Sequence, residues 1–316
     1  MSTAVKLTAF IGGLAVAFAA AAGLGYAAGP DAERIDAVDE HGSDHDMTTT
    51  SNTAATGAED PPGLAMSRDG YSLQLADGIV PAAPDASISF TIRDEDGRPV
   101  TGYETTHDKD LHLIAVRRDT AGFQHVHPSL DADGTWSVPL DLSLAGGWRV
   151  FADFAPAGHD ALTLGADLSV AGEYDPLPLP EPRTTASVDG YDVTLDGGLV
   201  PGTSSKLTLT VSRDGRPVTD LEPYLAAYGH LVALRDGDLA YLHVHPDGEP
   251  GDGRTEPGPE ITFYATTPTA GSYRLFLDFK HNGRVRTAAF TVEAGTARPG
   301  HATGPQGGSA HDHEEE

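Results

Sequence analysis

The chain of 316 residues has no cysteine, so neither disulfides nor thiolate metal sites are available to it. Only three methionines occur, Met1, Met47 and Met66, which argues against a thioether-rich Cu(I) site. Basic residues are scarce: 20 Lys and Arg stand against 47 Asp and Glu, a formal net charge of −27. Such a surface repels nucleic acid and anionic membranes, attracts cations and keeps a protein soluble. Convincing amphipathic helices are missing too. So are the recognisable catalytic signatures: no Gly-x-Ser-x-Gly, no His-Glu-x-x-His, no phosphate loop. These absences set aside the common enzyme classes, and the chain is read as a non-enzyme.

One histidine pattern is present twice. Phe123-Gln-His-Val-His-Pro128 is matched by Tyr241-Leu-His-Val-His-Pro246. Just upstream of each lies an apolar run with one more histidine, Leu111-His-Leu-Ile-Ala-Val116 and Gly229-His-Leu-Val-Ala-Leu234. All three histidines recur at one constant offset. In an extended strand, residues i and i+2 share a face, so His125 with His127, and His243 with His245, present paired imidazoles. If the upstream strand is a neighbour, His112 or His230 adds a third nitrogen. The expectation is one divalent-metal site per copy, with imidazole ligands favouring Cu(II), Zn(II) or Ni(II), copper or zinc first. His107 and the matched carboxylates Asp153 and Asp278 are further candidates, as ligands or as acceptors that orient an imidazole. His159 and His281 are weaker ones. The competing reading makes these histidines structural, with Pro128 and Pro246 merely ending strands.

The pattern sits inside a larger duplication. Asp69-Gly-Tyr71 recurs as Asp189-Gly-Tyr191, Asp96-Gly-Arg-Pro-Val100 as Asp214-Gly-Arg-Pro-Val218, and Gly147-Trp-Arg-Val-Phe-Ala-Asp-Phe154 as Ser272-Tyr-Arg-Leu-Phe-Leu-Asp-Phe279. Within each copy the hydrophobic period is two. Ile88, Phe90 and Ile92 alternate with Ser and Thr, as do Leu207, Leu209 and Val211. Each copy of about a hundred residues predicts some seven short strands, so the expected fold is all-β: two tandem immunoglobulin-like β-sandwiches. Trp148 and Tyr273 are expected to pack the two cores.

The expected layout along the chain is as follows. Residues 1–30 hold an uncharged stretch, Leu7 to Pro30, long enough to span a bilayer as a helix, with Lys6 before it and Asp31 and Glu33 after. It reads as a signal anchor or transmembrane helix, or alternatively as a cleaved signal peptide with a site near Ala20-Ala-Ala22; both export the remainder. Residues 31–68 read as a disordered acidic tether, 69–173 as the first sandwich, and 174–186 as a proline-rich spacer. Residues 187–294 form the second sandwich and 295–316 a disordered His/Glu tail.

With these residues in view, the chain resembles a family of membrane-anchored, exported actinobacterial proteins described as heavy-metal-associated, with a duplicated HxHP-bearing β-domain. In architecture it is also similar to YtkA-like and copper-resistance carrier domains. The resemblance implies an extracytoplasmic copper- or zinc-binding protein acting in buffering, carriage or resistance, with metal ions and an envelope metal transporter as partners. His112, His125, His127, His230, His243 and His245 carry it. The alternative is a non-enzymatic cell-surface interaction module.

Overall fold

The computed structural model describes residues 61–242 and 244–295, without the side chain of His245. The segment read as an N-terminal anchor, most of that read as a tether, nearly all of that read as a tail and His243 lie outside the described residues. Among the described residues no helix is long and apolar enough to cross a membrane.

Both copies are β-sandwiches. In the first, the main strands are β1 (Tyr71–Leu75), β2 (Ala86–Arg93), β3 (Leu111–Arg117), β4 (Gln124–Val126), β5 (Thr135–Leu140), β6 (Gly146–Pro156) and β7 (Leu162–Ala171). One sheet is ordered β1-β2-β5, the other β7-β6-β3-β4. In the second copy they are β8 (Tyr191–Gly197), β9 (Ser204–Arg213), β10 (Gly229–Arg235), β11 (Tyr241–Leu242), β12 (Val244–Pro246), β13 (Glu260–Thr266), β14 (Gly271–His281) and β15 (Arg284–Ala294). There the sheets are β8-β9-β13-β12 and β11-β10-β14-β15. Strand Ser67–Arg68 pairs with β1, so the first sandwich begins within the segment read as tether.

Each sandwich has its own core. Trp148, Phe90, Trp136 and Phe154 lie in the first, Tyr191, Phe263, Tyr273 and Phe279 in the second. β2 and β9 alternate buried and less buried residues as their sequences do, because one face of each is solvated. β3 does not alternate: all seven of its residues are buried.

The reason is a third apolar cluster between the repeats. The inward residues of β3, Leu111, Leu113 and Ala115, pack the first core; Ile114 and Val116, on the other face, join Phe151, Val232, Leu234, Tyr241 and Phe276. The outward faces of β3 and β6 thus pack on those of β10 and β14. Burying side chains of this size contributes roughly 1.5–3 kcal/mol each, which fixes the two sandwiches face to face.

Candidate metal centre

Strand parity carries the apolar inter-repeat face into a polar end. His112 is two residues before Ile114, His230 two before Val232, Asp153 two after Phe151 and Asp278 two after Phe276, so all four point from the faces that meet. Asp153 stands directly across from His112, and Asp278 from His230. β3 pairs antiparallel with β4, Ile114 opposite His125, and continuing that register brings His127 beside His112. The imidazoles converge accordingly. Ring centroids lie 5.3 Å apart for His112 and His125, 5.0 Å for His112 and His127, and 5.2 Å for His125 and His127. One nitrogen from each of these three lies within 4.8 Å of the others.

Hydrogen bonds assign the tautomers. His112 Nε2 is 3.1 Å from the Thr106 carbonyl oxygen, which only accepts, so Nε2 carries the proton and Nδ1 the lone pair. His125 Nδ1 donates to Asp278 Oδ2 at 2.8 Å, which leaves the lone pair of a neutral ring on Nε2. These two lone-pair atoms, His112 Nδ1 and His125 Nε2, face each other at 3.1 Å. Two lone pairs in that position repel unless a cation lies between them, either a proton on His125 Nε2 or a metal ion. Nitrogens bound about 2.0–2.1 Å from a tetrahedral zinc stand about 3.3 Å apart, close to the spacing found. His127 Nε2 is a buried ring nitrogen without a hydrogen-bond partner among the described residues. This set fits a metal.

Burial favours the neutral form of His112, His127 and His230, the form that ligates. Desolvation, then the neighbouring His125, pushes His112 down to about 3. Desolvation likewise lowers His127 and His230 to about 4. Asp153 moves the other way: burial raises it to about 6, against a hydrogen bond from Thr163 Oγ1 at 3.1 Å. Asp278 is the more firmly held carboxylate, accepting from Thr287 Oγ1 at 2.5 Å as well as from His125. It accepts from the His125 imidazole, and so orients it, across the boundary between repeats.

His230 and His107 flank the trio. His230 donates Nε2–H to the carbonyls of Leu225 at 2.8 Å and Tyr224 at 3.1 Å, so its Nδ1 is bare. Its ring centroid is 6.4 Å from that of His112 and 5.4 Å from that of His107. A cavity of about 120 Å³ adjoins the trio, lined in part by His107, His112, His125, Asp153, His230 and Tyr241. The carbonyls that hold His112 and His230 come from matched turns with left-handed backbone, φ 51° and 62° at His107 and Asp108, 55° and 59° at Leu225 and Ala226. That strain is retained in both copies where a carbonyl must meet a histidine.

The second copy does not repeat the arrangement. Its chain leaves β10 after Leu242, and β12 pairs instead with β13 of the opposite sheet, His245 opposite Tyr264. In the first copy the equivalent stretch stays on β3 through Val126. Of the six histidines expected to form two sites, the structure gathers His112, His125 and His127, sets His230 beside them, and leaves His243 and the His245 side chain undescribed. His281 is engaged elsewhere, with Tyr191 Oη at 2.7 Å and Asp220 at 3.0 Å, and His159 packs on Tyr71. Sequence reasoning missed Thr106, Tyr224, Thr163 and Thr287; the last two sit across the hairpin from Asp153 and Asp278 in both copies, a pairing visible once the strands are aligned.

The class defined by this architecture is a tandem of two immunoglobulin-like β-sandwiches with fused outer faces. The chain belongs to the family of domains of unknown function DUF8832, whose model matches residues 66–171 and again 186–296. No curated protein matches. Among solved structures it is similar to the adhesin FdeC of Escherichia coli, with 19% identity and TM-score 0.24 over 73% of this chain and 66% of that one. It is also similar to invasin, a bacterial integrin-binding protein, at 13% identity and TM-score 0.22 over 72% and 40% of the two chains. A putative membrane-anchored protein of Corynebacterium diphtheriae matches at 10% identity and TM-score 0.22, over 72% and 59%. The chain therefore spans between two fifths and two thirds of these structures.

Proposed function

We propose that this protein binds one divalent metal ion, copper or zinc, in its folded part through His112, His125 and His127, and serves in extracytoplasmic metal buffering, carriage or resistance. The observation that carries the reading is the pair of lone-pair nitrogens facing each other at 3.1 Å, with a third, unpartnered imidazole nitrogen alongside. Three imidazoles suit Zn(II) or Cu(II), and an open fourth position suits an ion that must be handed on. The acidic chain, net −27, raises the local cation concentration.

The test is metal titration of the chelator-stripped full chain against the His127→Ala variant. His127 is chosen because its Nε2 holds no structural hydrogen bond. The variant is expected to lose one tight equivalent relative to wild type. Equal stoichiometry and affinity would sink the proposal.

A second reading has its own observation. If a proton sits on His125 Nε2, the His112–His125–Asp278 chain is a complete hydrogen-bonded bridge between the repeats. The histidines are then structural in a surface interaction module. Under that reading, chelators leave stability and partner binding unchanged.

A further inference from the structure

We propose that the second repeat is the clamp of the metal-bearing strand, so that metal binding and docking of the two repeats are a single coupled equilibrium. This rests on the metal reading above. β4, which brings His125 and His127, is a three-residue strand at the edge of its sheet, paired only to β3. An edge strand that short is weakly held by its own ladder. Gln124 at its start bonds the Asp141 backbone, and the hold on the ligand-bearing part comes from β14 of the other repeat. Phe276 stacks on Phe123 with centroids 3.9 Å apart and planes 4° from parallel. Two residues on, Asp278 accepts from His125, two residues on from Phe123.

Residues i and i+2 of β14 therefore grip residues i and i+2 of the ligand segment, one grip apolar and one polar. Both grips are dry: the side chains of His125 and Asp278 are 5% and 4% exposed, and Phe276 is 3% exposed. A carboxylate on the far nitrogen of a ligand histidine fixes its tautomer and raises its basicity, and removing one typically costs roughly 10–100-fold in metal affinity. Because coupling is reciprocal, whatever the docked second repeat adds to metal affinity, the metal returns to docking. Asp278 and Phe276 are thus positioning residues for a centre whose ligands lie in the other repeat. In this arrangement the first copy supplies the three named nitrogens, and the second holds one of their rings through Asp278.

The experiment uses full-length protein, with zinc affinity measured by competition against a chelator and hydrogen exchange followed by mass spectrometry with and without zinc. In wild type, zinc is expected to slow exchange in repeat-2 peptides around Asp278 and Thr287, although these contribute no nitrogen ligand. Asp278→Asn keeps the side-chain shape and is expected to weaken zinc about tenfold at unchanged stoichiometry, while losing most of the slowing in the second repeat. Phe276→Leu keeps the apolar fill and removes the stack; a smaller loss of affinity, of roughly threefold, is expected from an aromatic pair. It also serves should the Asp278 variant fail to fold. Zinc affinity unchanged in both variants overturns the clamp, as does zinc binding that leaves exchange in the second repeat untouched. Absence of zinc binding to wild type overturns the metal reading itself, a separate outcome.

Discussion

Acid should unfold the metal-free protein through its histidine cluster. An unfolded histidine titrates near 6.5, whereas in the fold His112 is pushed to about 3, and His127 and His230 to about 4. These groups are depressed, so below pH 6.5 the unfolded chain takes up protons that the folded one refuses. Their contribution is complete above 6.5 and is lost as pH falls toward 4, at about 1.4 kcal/mol per pH unit for each fully buried group. Solvent reaches part of the His127 ring, and screening there roughly halves its share. Asp153 has the opposite sign. Its folded value of about 6 lies above the unfolded one, so it gives stability back as pH falls from 6 toward 3.8. Combining these, the net loss is about 2 kcal/mol per pH unit between 6 and 4. The assay is urea unfolding of chelated protein at pH 7, 6 and 5, followed by tryptophan fluorescence. Both tryptophans, Trp136 and Trp148, lie in the first core at 2% and 1% exposure, so they report the sandwich that carries the cluster. The midpoint should fall by about 1 M urea from pH 6 to pH 5. A midpoint that holds or rises would refute the reasoning, because it would mean the rings are charged or hydrated in the folded state.

Two further outcomes follow from packing and backbone. In a double-mutant cycle, Phe123→Ala and Phe276→Ala should show a coupling of about 0.5–1.5 kcal/mol in unfolding free energy, the worth of a stacked pair beyond its buried area. Additive effects would mean that the repeats do not dock through this contact. Ala226→Gly, at an exposed residue with φ 59°, should raise stability by up to about 1 kcal/mol in urea melts, since glycine adopts left-handed backbone without strain. A loss would show that the turn is not held as described.

Period-two alternation made β2 and β9 legible, because each has one solvated face and every second residue records it. The duplication and its punctuation placed the sandwiches for the same reason: turn residues are chosen locally. The inter-repeat face was written in the sequence as well, but as a departure from alternation. Leu111–Val116 and Arg274–Phe279 are apolar or unusual on both faces, which is what a strand covered on both sides requires. Read one domain at a time, such runs look like ordinary core strands. His112, His125 and His127 could be grouped from spacing because i and i+2 share a face and the upstream strand is the neighbour. Asp278 could be picked out from its match with Asp153. What could not be read was that it serves His125, more than a hundred and fifty residues away in the other copy, since a contact between repeats leaves no periodicity in either.

The same limit explains why equal spacing did not predict equal strand pairing. Identical His-Val-His-Pro motifs specify an extended segment ended by proline, but not the sheet it joins. In the first copy, Gln124 secures its strand end by bonding the backbone of Asp141 at both its amide atoms, and the strand stays on β3 through Val126. In the second copy that position is Leu242, buried at 3%, and β12 pairs with β13. A polar anchor in one copy is thus an apolar residue in the other, just before the histidines, and the two motifs join different sheets. A duplicated motif therefore specifies an extended segment twice without specifying the same sheet twice.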